Sequence, residues 1–265
     1  MNFDTPALRQ APNLQKSFMK QIVLHIPHSS ISIPLKEGYV VSDEILNREL
    51  LKLTDWYTDD LFHSSEEITI RADFSRIFCD PERFSDDSKE VMAEFGMGVL
   101  YETSDNGDII RNVSLELREK ILAEYYWKHH KRLSQAVAGQ LKLFGKALII
   151  DCHSYPSHPL KRDRRQELDR PDFNIGTDAY HTPQVLVDIS RDFFAKRGYS
   201  LGIDWPYNGS MVPLEYYQQN RNVQTIMLEV NRKLYLKQPT NERSESYLEI
   251  KSVTAEFIRA IKMNF

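Results

Sequence analysis

Residues 146–154 read KALIIDCHS, and this run limits the fold more than any other. Leu148, Ile149 and Ile150 are apolar without alternation, then break at once into Asp151, Cys152, His153 and Ser154. A short continuous apolar run fits a strand covered on both faces, as in a parallel or mixed sheet between helices. Open α/β sheets carry their chemistry at the carboxyl ends of their strands, so a strand that runs into aspartate and histidine points to a site. The same side chains can also cap a strand end by satisfying loose backbone groups, and the rest of the chain must decide between the two.

Strand-like and helix-like segments alternate along the chain. Gln21 to His28 reads as a core strand that Pro27 stops, since proline cannot donate to a ladder. From Ser42 to about Phe62 the apolar spacing follows one helical face, with Ser42 as N-cap, and brings Asp55 near the helix's carboxyl end. EITIRADF and SRIFCD are β-like. Ser114 to Gly145 predicts one long amphipathic helix closed by glycine. A helix over PQVLVDISRDFFAKRG, strands over YSLGID and Val223 to Asn231, and a final helix over SESYLEIKSVTAEFIRAIK complete the pattern. It predicts a single α/β domain over residues 1–265, with a mixed, mostly parallel sheet covered on both faces. The charged stretch Lys161 to Asp172 reads as a solvated loop or a substrate-facing lid.

The formal net charge of -4 gives no broad basic field, which argues against nucleic acid or anionic lipid as partner and for a small-molecule substrate. The N-terminal stretch lacks the apolar core of a signal peptide and no run is long enough to span a bilayer, so a cytoplasmic protein is expected. The two cysteines, Cys79 and Cys152, sit in apolar strand-like runs and read as buried thiols, not nucleophiles or a disulfide framework.

Chemistry gathers at the strand ends. His28 follows the first core strand as His153 ends the LIID strand, and Asp55, with Asp59 as fallback, can add a carboxylate. Catalytic zinc commonly takes three such ligands and leaves a position for water. His25, three residues before His28, reads as a core histidine. Glu229 interrupts the apolar strand Ile226, Met227, Leu228, where an unpaired carboxylate costs several kcal/mol. A proton shuttle beside a metal or a structural salt bridge would each justify it. Arg76 and Arg83 carry the group that binds carboxylates bidentately, though ion-pairing arginines fit the spacing as well. His129 and His130 point about 100° apart on their helix and cannot form one metal site by themselves.

Taken in order, IPHSS, TDWYTDDL, ADFSRIFCDPERF, IIDCHSYPS, PDFNIGTD, PYNGS and IMLEVNRKLYL resemble the N-formylglutamate amidohydrolase (deformylase) family over nearly the whole chain. The resemblance implies a three-layer αβα fold like that of zinc exopeptidases, and metal-assisted removal of an N-acyl group, formyl above all, from an acidic amino acid. By position it implies His28, Asp55 and His153 as ligands of one divalent ion, expected to be zinc, and Glu229 as the catalytic base. Arg76, Arg83, Asn174, Asn208 and Gly209 fall where substrate is bound. The chain also departs from the family pattern: Glu82 stands where an asparagine is usual, and a second carboxylate there would repel an acidic substrate. A peptidase-like or other N-acyl amino acid hydrolase with the same metal site, and a non-catalytic binding module, are the competing readings. An arginase-type D-A-H-x-D motif is excluded, because Ser154 and Tyr155 follow His153.

Overall fold

The computed structural model describes residues 21–265, so the N-terminal stretch behind the signal-peptide reading lies outside the described residues. Six strands form one sheet in the order β2-β1-β3-β6-β4-β5. They are β1 (Val23–Ile26), β2 (Ile68–Arg71), β3 (Ala147–Tyr155), β4 (Phe173–Gly176), β5 (Leu201–Ile203) and β6 (Val223–Asn231). All neighbouring pairs are parallel except β4 against β6, so the sheet is mixed and mostly parallel, as expected. β3 lies between β1 and β6 with all nine residues buried, which is the two-sided burial its apolar run requires.

Period-two alternation sorts the side chains between two layers. Leu148, Ile150 and Cys152 of β3 join Ile226, Leu228 and Val230 of β6 against α5 (Gln184–Ala195) and α6 (Tyr247–Met263). Ala147, Ile149, Val23 and Val223 face the opposite layer, where Leu133 and Val137 of α4 (Trp127–Phe144) cover them. His25, Asp151 and His153 continue that second face by the same alternation, and so does Glu229 from β6. Sheet pleat alone thus brings reactive groups from three strands to one side.

Several expected elements differ. The helix predicted from Ser42 to Phe62 is two helices, α1 (Asp43–Leu53) and α2 (Thr58–Leu61). The break follows from local bonding: Thr54 is extended, the Asp55 N–H donates to the carbonyl of His28 at 3.0 Å, and Tyr57 is left-handed at φ 60. Ser42 takes the N-cap position without a side-chain cap. SRIFCD is a turn, not a strand, because the N–H groups of Phe78 and Cys79 both donate back to the Ser75 carbonyl. Its apolar residues are instead divided between two small cores, Ile77 in one and Phe78 and Cys79 in the other. The long helix carries a π turn at 122–126 between α3 (Leu115–Ile121) and α4, and ends at Gly145 with φ 73, where a left-handed cap favours glycine. PDFNIGTD contains β4, a strand too short and too polar at its flanks to stand out by period. Both cysteines are buried and free, as expected. Among the described residues no helix is long and apolar enough to cross a membrane.

Ile150 is fully buried at the centre of the larger core. Ile150→Ala should cost about 2–5 kcal/mol of unfolding free energy, read from urea titration, since neighbours on a central strand can collapse only partly into the space.

Candidate functional site

At the carboxyl end of β3 the imidazole of His153 meets that of His28, which follows β1; the ring centroids are 5.1 Å apart. Both rings are buried, and His153 is held at both of its nitrogens. His153 Nδ1 lies 3.1 Å from Asp55 Oδ2, and its Nε2 lies 3.2 Å from Asp151 and 3.3 Å from Glu82. His28 Nε2 lies 2.9 Å from Asp80 and 3.6 Å from Glu82. Its Nδ1 is 3.7 Å from Asp55 and has no hydrogen-bond partner.

Asp55 reaches the imidazoles because the break after α1 hands its backbone to His28. Its second oxygen accepts from Arg232 Nη2 at 3.0 Å, and Arg232 is itself tied to the Lys52 carbonyl and to Ser154. Burial alone would raise the Asp55 pKa, but His153, His28 and Arg232 hold it well below the usual carboxylate range. Asp80 is likewise buried and held low, chiefly by His28 and Arg76 acting against desolvation, and also accepts from the Tyr101 hydroxyl. Desolvation works against charge on His28 and His153, yet the surrounding carboxylates raise both pKa values. The carboxylates around the two rings thus favour positive charge on them in spite of burial.

His28, Glu82 and His153 present ligand atoms within 4.8 Å of one another, a buried His–Glu–His candidate metal site. A second grouping joins His25, Glu82 and Asp151. His25 is a core histidine, as expected, but a connected one: Nδ1 lies 2.8 Å from Asp151 and Nε2 lies 2.9 Å from His129. The strand has already ended at Ile26, so His25 and His28 both approach Glu82 although three residues separate them. His129 and His130 diverge as predicted, His130 turning to the Pro81 carbonyl.

Glu229 is the register partner of His153 across β3 and β6 and is 6% exposed. Burial pushes its pKa up to about 8, with His153 opposing and Asp55 adding to the rise; Oε2 has no hydrogen-bond partner. It lines a cavity of about 190 Å³ together with His28, Asp55, His153, Arg76 and Arg83. Arg76 contacts Asp80 and Tyr101, while the buried Nε of Arg83 faces Asp80 at 3.6 Å, an ion pair too long for a hydrogen bond. Asn208 lines this cavity and a neighbouring one of about 310 Å³; Gly209, with φ +92, lines only the latter.

Two residues singled out in the sequence stand apart. Asn174 lines neither cavity: its amide donates to the Tyr207 carbonyl and accepts from the Trp205 N–H, so it fixes the turn beside Asn208. Asp59 pairs with exposed Arg71 away from the imidazoles. The charged stretch from Lys161 is not merely solvated, since Arg162 and Asp163 line the smaller cavity and Arg170 is buried on Asp163. Sequence reasoning missed Arg232 and the ligand geometry of Glu82. A guanidinium three residues after a buried glutamate was the available signal for the first.

Arg232→Met leaves the Asp55 carboxylate without its guanidinium partner. Stability should fall by about 3–5 kcal/mol in denaturant titration, the cost of removing one member of a buried pair.

The family model for N-formylglutamate amidohydrolase matches residues 20–236. The chain is 30% identical over 193 residues to an N-formylglutamate deformylase of Pseudomonas aeruginosa, covering 69% of this chain and 71% of that one. A second N-formylglutamate deformylase, from Pseudomonas putida, is 24% identical over 229 residues and 82% of each chain. Among solved structures, an N-formylglutamate amidohydrolase from Ralstonia eutropha superposes with a TM-score of 0.81 at 22% identity, over 92% of this chain and 93% of that one. With the paired imidazoles, the buried carboxylates and a matching sheet, the chain belongs to the N-formylglutamate amidohydrolase family and is a hydrolase of the deformylase-like kind.

Proposed function

We propose that the chain, as a single catalytic domain, hydrolyses the amide of a small N-formyl amino acid, with N-formylglutamate the first compound to assay. A divalent ion, zinc by the donor set, is held by His28, Asp55 and His153, and Glu229 is the general base. The observation that carries this reading is the unpartnered, buried Nδ1 of His28 beside Asp55 Oδ2, which also lies 3.1 Å from His153 Nδ1. Both Nε2 atoms face carboxylates, the arrangement that orients metal-binding imidazoles through their far nitrogen. A divalent ion there supplies Lewis acidity, polarising the amide carbonyl and making water easier to deprotonate.

The chain's own groups do the rest. Glu229, buried and with Oε2 free, accepts a proton from the attacking water and returns it to the amide nitrogen as the C–N bond breaks, leaving formate and the free amino acid. Positive charge held between the imidazoles favours the ionised form of Glu229 that this requires. Arg83, held only by long ion pairs of 3.6 Å to Asp80 and 3.8 Å to Glu90, and Arg76 beside it hold the substrate carboxylate, with Asn208 and Gly209 forming the wall.

A second ligand set, with Glu82 in place of Asp55, has its own support in the spacing of Glu82 from both rings. Metal content separates them. Asp55→Asn should lose stoichiometric zinc by elemental analysis while Glu82→Gln keeps it; the reverse result reassigns the third ligand.

For the base, Glu229→Gln should lower kcat by about 10²- to 10⁴-fold with metal content unchanged. Loss of metal in that variant would make Glu229 a ligand, and wild-type turnover would end the proposed mechanism.

A further inference from the structure

Lys52, Arg76, Arg83, Arg162 and Arg232 line the smaller cavity, and all but one face carboxylates of the protein. Lys52 Nζ lies 2.8 Å from Glu49, Arg76 Nη2 lies 3.1 Å from Asp80 and Arg232 Nη2 lies 3.0 Å from Asp55. Arg83 is shared between Asp80 and Glu90 at 3.6 and 3.8 Å. Arg162 is the exception: among the described residues it has no carboxylate ion-pair partner, and its guanidinium donates from Nη1 to the Phe95 carbonyl at 2.9 Å and lies 5.7 Å from the Phe95 ring.

The loop that carries Arg162 is well tethered. The Arg162 backbone N–H donates to buried Asp105 at 3.1 Å, and the neighbouring Asp163 accepts from the Leu160 N–H, the Tyr207 hydroxyl and Arg170. Asp163 is thus neutralised by Arg170 at 2.8 Å, and the charge of Arg162 stays uncompensated. Gly107 leaves room for the guanidinium, since a Cβ there would lie 2.3 Å from Arg162 Nη2. A fixed loop therefore presents to the cavity a cation that the protein does not itself answer.

Position separates Arg162 from the other guanidinium groups. Phe95, Asp105 and Gly107, which surround it, do not line the cavity, and Phe95 is 41% exposed, so Arg162 reaches the wall from the surface side. Arg76 and Arg83 stand at the inner side, tied to Asp80, which is 2.9 Å from His28 Nε2. The α-carboxylate of an N-formyl amino acid is bonded to the same carbon as the amide nitrogen, so it stays close to the bond that is cleaved and suits the inner pair. A side-chain carboxylate lies further along the molecule. In a cavity of about 190 Å³, small for a ligand site, a substrate of that size extends from wall to wall.

We infer that Arg162 sets the preference for an acidic side chain: it pairs with the side-chain carboxylate of the N-formyl amino acid, while Arg76 and Arg83 hold the α-carboxylate. The inference rests on the amidohydrolase reading above and adds a specificity-determining residue to it. The planar guanidinium can meet a carboxylate with two parallel hydrogen bonds, which an uncharged amide of the same shape cannot accept. The test measures kcat/KM of the zinc-loaded enzyme for N-formylglutamate and N-formylglutamine, which differ only in that group, in the wild type, Arg162→Met, Arg162→Lys and Arg83→Met, with metal content and thermal melting recorded for each.

The wild type should favour N-formylglutamate by about ten- to hundredfold, the range for a hydrogen-bonded charged pair. Arg162→Met should bring the ratio of the two substrates close to one, through KM more than kcat, and Arg162→Lys, which keeps the charge without the fork, should restore part of it. Arg83→Met should lower kcat/KM for both substrates alike, because both carry the α-carboxylate. A wild type that does not distinguish the two overturns the inference and leaves the amidohydrolase reading intact. So does a wild-type ratio in Arg162→Met, and so does a ratio lost in Arg83→Met instead, which would put the side-chain carboxylate at the inner pair. Should Arg162→Met melt early, the Arg162→Lys ratio decides, and a value equal to or above that of the wild type rejects the role of the fork. Failure of the wild type to hydrolyse either substrate sinks the amidohydrolase reading, and this inference with it.

Discussion

The carboxylate of Asp55 is buried between a guanidinium and two imidazoles, and the surrounding structure is arranged around that charge. An isolated ionised carboxylate in a protein interior is costly, and it persists only when each of its oxygens is paired. Here Arg232 takes one oxygen, while His153 and the Ser154 N–H take the other. The pairing draws together the break after α1, the end of β3 and the turn after β6, segments that lie far apart in the chain. Removing the guanidinium would leave a buried charge, so the contact that shapes the site also constrains the fold.

The sheet supplies the remaining order. Because β1, β3 and β6 run parallel and lie side by side, their carboxyl ends open on the same edge, and alternation puts His25, His153 and Glu229 on one face. The π turn before α4 falls where Tyr126 donates to the Arg83 carbonyl, so the helix that covers this face also anchors the segment bearing Asp80, Glu82 and Arg83. β4 and β5 run against the other strands and bring the turn at Trp205–Gly209 to the cavity rim, with Asn174 as its tether.

Family membership and local chemistry support each other without being the same statement. The relatives named N-formylglutamate deformylase match 69% and 82% of this chain, and the fold superposes on an N-formylglutamate amidohydrolase with a TM-score of 0.81. Among the groups around the site, Glu82 sets a carboxylate within 3.6 Å of His25, His28 and His153.

Much of this was legible in the chain itself. The apolar run before Asp151 required a strand covered on both faces, glycine closed the long helix, and His28, His153 and Glu229 stood out because polar groups at apolar strand ends or interiors need a reason. These signals depend on neighbours in sequence, which periodicity records. Tertiary structure alone decided that helix 42–62 breaks to deliver Asp55, since the competing bond comes from the His28 carbonyl. It alone decided that Arg232 neutralises Asp55, and that Glu82 approaches His25, His28 and His153 while Asn174 turns away. Such pairings join residues tens of positions or more apart, and the physical reason they escape a sequence reading is that a buried charge selects its partner by distance in space, which no local pattern encodes.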